Sequence, residues 1–106
     1  MASVNLALIA FLYALIYLLT GDIWMTSAMH TAWNMSQGNI FGLQVSGNDS
    51  ANSIVSAIYG QNANSLITGG DFGPEGGLAT TAVTVVCMIV VIILLVRKNK
   101  RASAKI

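Results

Sequence analysis

The chain has 106 residues, of which 55% are hydrophobic and only 8% charged, with a net charge of +1. Its mean hydropathy is +0.69. A soluble domain carries roughly a quarter charged residues, so five basic and four acidic side chains do not cover a water-facing surface of this size. Nucleic-acid binding is excluded as well, because Arg97, Lys98, Lys100, Arg101 and Lys105 all fall in the last ten positions and leave no basic face elsewhere.

The first apolar run, Leu6 to Leu19, contains no charge, amide or hydroxyl other than the phenols of Tyr13 and Tyr17. At about 1.5 Å per residue its fourteen residues reach roughly 21 Å, short of a bilayer core of about 30 Å unless residues 2–5 join it. It therefore reads as a membrane span truncated at its N-terminal end. No Lys or Arg precedes the run and no small-residue cleavage site follows it, which argues against a signal peptide. Ala7, Ala10 and Ala14 recur at helical spacing and offer a small face for a second helix.

Thr20-Gly21-Asp22 stops this helix and starts the next, since glycine suits the left-handed residue after a helix and the Asp22 carboxylate can cap the amides that follow. The tight turn predicts antiparallel neighbours. The second span is expected from about Ile23 to Leu43, with the Trp24 indole at the membrane interface. It is more polar than the first: Ser27, His30, Asn34 and Gln37 are spaced 3, 4 and 3 apart and form one helical stripe, with Met25, Met29, Ala32 and Trp33 largely elsewhere.

Residues 44–77 turn to Ser, Asn and Gly and read as an extramembrane or partly re-entrant loop. Ile54-Val55 and Ala57-Ile58-Tyr59 suggest a short interfacial helix, and Asn48-Asp49-Ser50 fits the glycosylation pattern at a frequency expected by chance. Leu78 to Val96 is a nineteen-residue apolar run followed at once by Arg97-Lys98-Asn99-Lys100-Arg101, a span with a basic stop. Basic residues favour the cytoplasmic side, so the C-terminus is expected there, with the 44–77 loop and the N-terminus outside.

His30 is the only ionisable residue within a predicted span, and Asn34 lies one turn away on the same face. Ionisable groups are costly inside a bilayer, and a His beside an Asn suits water or metal binding, a proton relay, or donation of two hydrogen bonds to a developing oxyanion. A bland reading is an interhelical hydrogen bond from a neutral imidazole. Asp22, Asp49, Asp71 and Glu75 all fall in turns or the loop, so no carboxylate is expected at the depth of His30. Lone Cys87 forms no internal disulfide and begins no multi-cysteine metal site.

Tyr17-Leu18-Leu19-Thr20-Gly21-Asp22-Ile23-Trp24, followed by His30-Thr31-Ala32-Trp33-Asn34-Met35, resembles the last motif of the CPBP family of intramembrane proteases. That family includes the CAAX prenyl endopeptidases, the bacterial abortive-infection proteins and bacteriocin-processing or immunity proteins. The continuation through Ser36-Gln37-Gly38, Phe41-Gly42-Leu43 and Val45-Ser46-Gly47, and the run from Thr68 to Leu78, are also similar to bacterial members.

The resemblance implies a membrane endopeptidase in which His30 and Asn34, as the third-motif His-x-x-x-Asn, bind water or polarise the reacting oxygen. It also implies a divalent metal at His30 where the family site is treated as a metal centre. The family's other motifs, Glu-Glu with a following Arg and Phe-x-x-x-His, have no counterpart in these 106 residues. The expectation is therefore an all-α integral membrane bundle of about three transmembrane helices, an incomplete part of a larger multi-span fold. Its parts are a hairpin over 1–43, a loop over 44–77, a final span over 78–96 and a basic tail over 97–106. Expected partners are the lipid bilayer, a peptide or protein substrate and a chain supplying the missing helices. Two alternatives are a catalytically silent membrane interaction or immunity subunit and a small holin-like pore former.

Overall fold

The computed structural model describes residues 1–45, 53–55, 62 and 64–106. Every regular element among them is helical: α1 (Ala2–Thr20), α2 (Trp24–Asn34), a π-helical turn (Met35–Ile40), α3 (Ser65–Thr68), two 3-10 turns (Gly70–Phe72 and Pro74–Gly76) and α4 (Leu78–Ser103). α1 and α4 are long and apolar enough to cross a membrane. The glycosylation-like Asn48-Asp49-Ser50 and the Ala57-Ile58-Tyr59 cluster lie outside the described residues. Ile54 and Val55 form no helix; their amides donate to the carbonyls of Asn39 and Ile40 at 2.9 and 2.8 Å.

Local chemistry at the first turn follows the sequence. Gly21 takes the left-handed conformation (φ 81°) and its N–H returns to the Tyr17 carbonyl at 2.8 Å. Asp22 Oδ1 then accepts from the backbone amides of Trp24 and Met25 at 3.0 and 3.3 Å, meeting two donors that the start of α2 leaves open. Asp22→Ala is expected to destabilise this corner by about 1 kcal/mol, read as faster amide exchange at Trp24 and Met25 with the rest of the chain unchanged.

Polar groups near both ends of α1 set its pairing with α4. Near its start Asn5 reaches the residues just before α4, and at its end the Leu19 carbonyl accepts from Lys98 Nζ at 2.6 Å. The two helices therefore run parallel, α2 returns between their ends, and Lys98 caps one of the carbonyls that the end of α1 leaves open. The face of α1 that is covered holds Asn5, Leu12 and Ile16, whereas Ala7, Ala10 and Ala14 are exposed. The small-residue face is thus not the one α4 uses. Hydrogen bonds to Asn5 select the other side of the helix.

α2 does not continue as a regular helix to Leu43. After Asn34 the backbone widens into the π-helical turn, with Phe41 N–H bonded to the Ser36 carbonyl at 3.0 Å, and Gly42 (φ 63°) ends it. α4 runs seven residues past Val96, so the basic tail begins as helix.

The stretch between α3 and α4 is folded tightly on itself. Gly73 has φ 90° and ψ −178°, a region open essentially to glycine, and a Cβ there would overlap the Gln44 carbonyl. Gly73→Ala is expected to cost about 1–3 kcal/mol in backbone strain alone. The check is the thermal unfolding midpoint in detergent micelles, and an unchanged midpoint would refute it.

Candidate functional site

α2 turns Met29, His30, Trp33 and Asn34 toward a cleft of about 550 Å³ between α1, α2 and α4. The i, i+4 pairs 29/33 and 30/34 stand as adjacent columns on the helix, so two apolar and two polar residues share one wall. α1 contributes Leu6, Ile9, Leu12 and Tyr13, and α4 contributes Ala79, Thr80, Val83, Thr84 and Cys87. Most of this lining is aliphatic or aromatic; within it His30 is exposed, Asn34 is half-buried and Thr84 is buried.

His30 and Asn34 are hydrogen-bonded to one another, with 3.2 Å between Asn34 Nδ2 and His30 Nε2. The Asn34 amide can donate to Nε2 only in the tautomer that leaves this nitrogen without a proton. The ring also meets Tyr13 edge-on, with centroids 5.7 Å apart and planes at 80°. Asn34 Oδ1 is buried and has no hydrogen-bond partner among the described residues. The spacing read from the sequence thus corresponds to a real pair, but the Asn34 amide points at the ring. An incoming carbonyl oxygen would compete with Nε2 for that N–H.

The rest of the sequence-derived stripe divides. Ser27 is exposed and outside the cleft lining. Gln37 is buried, with Nε2 donating to the Gln44 carbonyl across the π-helical turn, and its Oε1 has no hydrogen-bond partner among the described residues. Trp33, assigned by sequence spacing to another face, stands beside Asn34 in the cleft and donates from Nε1 to Glu75 Oε1 at 3.1 Å.

Glu75 is the site residue that sequence reasoning missed. It falls in a Gly-rich segment that reads as loop, yet it is only 4% exposed and lines the same cleft as His30 and Asn34. Three bonds hold its turn in place. Asn5 Nδ2 donates to the carbonyls of Glu75 at 2.7 Å and Gly77 at 2.9 Å, and Thr80 Oγ1 donates to the Pro74 carbonyl at 2.6 Å. Asn5 Oδ1 in turn accepts from Thr81 Oγ1 at 2.6 Å, so a side chain 1% exposed is bonded at both ends of its amide. The available signal was slight: Glu75 is the one glutamate in the chain and sits between Pro74 and Gly76, three residues before α4.

Among the described residues no three His, Cys, Asp or Glu side chains come together in a way that could hold a metal ion. The divalent metal implied at His30 would therefore need ligands from beyond this set. No protein-family model, curated protein or solved structure matches the chain.

Proposed function

We propose that this chain is the third-motif portion of a CPBP-type intramembrane endopeptidase, in which His30 and Asn34 bind and polarise the carbonyl oxygen of a peptide bond. The observation that carries the reading is their position: a hydrogen-bonded His–Asn pair on the wall of an apolar cleft formed by three helices. A donor in such a setting interacts with developing negative charge more strongly than it would in water. The attacking water is activated by the glutamate and second histidine of the other two motifs, supplied by a further segment or a partner chain.

The membrane part of the proposal rests on how little of the apolar surface is covered. In the most hydrophobic windows of α1 and α4 only 17% and 6% of residues are buried. The core helix of a soluble protein is covered by its neighbours, and these two are not. α2 with its π-helical turn runs from Trp24 to Ile40, roughly 25 Å, and makes the third crossing with its polar wall turned to α1 and α4. With α1 and α4 parallel, residues 64–77 and the N-terminus share one side, and the basic end of α4 shares the other with the Gly21 turn. The positive-inside rule makes that second side cytoplasmic.

Translating the DNA upstream of the Met1 codon in all three frames tests the proposal. A frame carrying Glu-Glu-x-x-x-Arg and Phe-x-x-x-His supports it. Finding neither there nor in a co-purified membrane partner favours the catalytically silent subunit.

A further inference from the structure

Beyond the Asp22 cap at its start, α2 meets distant parts of the described structure through the edge of Tyr13 against the His30 ring and the Trp33 indole on Glu75. Trp33 lies three residues after His30 and directly before Asn34, so any rotation of α2 about its axis carries all three together. The far end of the Trp33 bond cannot follow such a rotation. Glu75 is anchored to α1 by Asn5, and the Pro74 carbonyl beside it is anchored to α4 by Thr80. A carboxylate acceptor inside an apolar cleft also makes a stronger bond than a neutral or hydrated one.

We propose that Glu75 is a positioning residue: through the Trp33 indole it fixes the rotation of α2 and so the orientation of the His30–Asn34 pair in the cleft. The inference takes its chemical meaning from the endopeptidase reading, but its test reads ring geometry and not cleavage, so either can fail without the other. Glu75 touches no reacting atom in this role. It holds the indole, the indole holds the helix, and the helix presents the imidazole.

The chain contains one histidine and two tryptophans, which makes the test direct. Nitrogen-15 spectra of the full chain in lipid bicelles report the His30 ring nitrogens and the two indole N–H groups, with Trp24, 80% exposed, as the internal control. In Glu75→Ala the Trp33 indole is expected to lose roughly tenfold or more of its exchange protection, the size expected for a bond to a charged acceptor. The His30 nitrogens should then depart from the pattern of the unsubstituted chain. Trp33→Phe should reproduce the His30 change with Glu75 intact. Glu75→Gln should restore both signals in large part, because its amide oxygen still accepts from the indole.

An unchanged His30 pattern in folded Glu75→Ala or in Trp33→Phe overturns the proposal. So does a folded Glu75→Gln that behaves like Glu75→Ala, since that would make the charge, and not the bond to Trp33, the requirement. Helical circular dichroism identifies an unfolded variant, and if Glu75→Ala is one, Trp33→Phe and Glu75→Gln decide the matter alone.

Discussion

Asn5→Leu is expected to destabilise the chain by about 2–4 kcal/mol and to release the turn before α4, although it makes α1 more apolar. The size follows from what the substitution strands. The Glu75 carbonyl loses the Asn5 amide, the Gly77 carbonyl loses its shortest side-chain donor and Thr81 Oγ1 loses its best acceptor, all beside a position 1% exposed. A buried polar group without a partner costs about 1–3 kcal/mol, and the Gly77 carbonyl and Thr81 keep weaker bonds to each other at 3.3 Å, so the sum stays below three full penalties. Amide exchange at Gly76 and Gly77 should rise together with a lower unfolding midpoint in micelles. An Asn5→Leu variant as stable as the parent, with those amides still protected, would show that apolar contact alone fastens α1 to α4.

The second large effect is on chemistry. On the endopeptidase reading proposed above, tested in a chain or complex that carries all three motifs, His30→Ala is expected to lower kcat by about 10²–10³ while leaving expression and membrane insertion intact, the range seen when one preorganised oxyanion donor is removed. Asn34→Ala should fall in the same range. Because the two side chains are bonded at 3.2 Å and, on that reading, polarise one oxygen, the double variant should lose little more than either single one. Cleavage of a membrane-embedded fluorogenic peptide in proteoliposomes provides the measurement. Full activity in His30→Ala would sink the endopeptidase reading, and strictly additive losses would mean that the pair does not act as a unit.

Three features were legible because their causes lie within a few residues of one another. The hydropathy of residues 6–19 and 78–96 is enough to require long apolar helices, and Gly21 with Asp22 is enough to end one and cap the next. The i, i+4 spacing of His30 and Asn34 places them one turn apart on any helix, and their bond follows from that. What the sequence left open depends on contacts far apart along the chain. Glu75 enters the cleft only because Asn5, seventy residues earlier, holds its carbonyl, and because positive-φ glycines fold the preceding stretch back on itself. The same contact decides which side of α1 meets α4, so the alanine face stays open while Leu12 and Ile16 are covered. Helical angle alone turns Trp33 elsewhere, but a helix wall wide enough for two columns admits it beside Asn34, and only the position of Glu75 gives its indole a partner. Local propensity and hydropathy determined the helices and the His–Asn pair. Long-range hydrogen bonding, which no short window of sequence encodes, decided which helix faces meet and which carboxylate lines the cleft beside the pair.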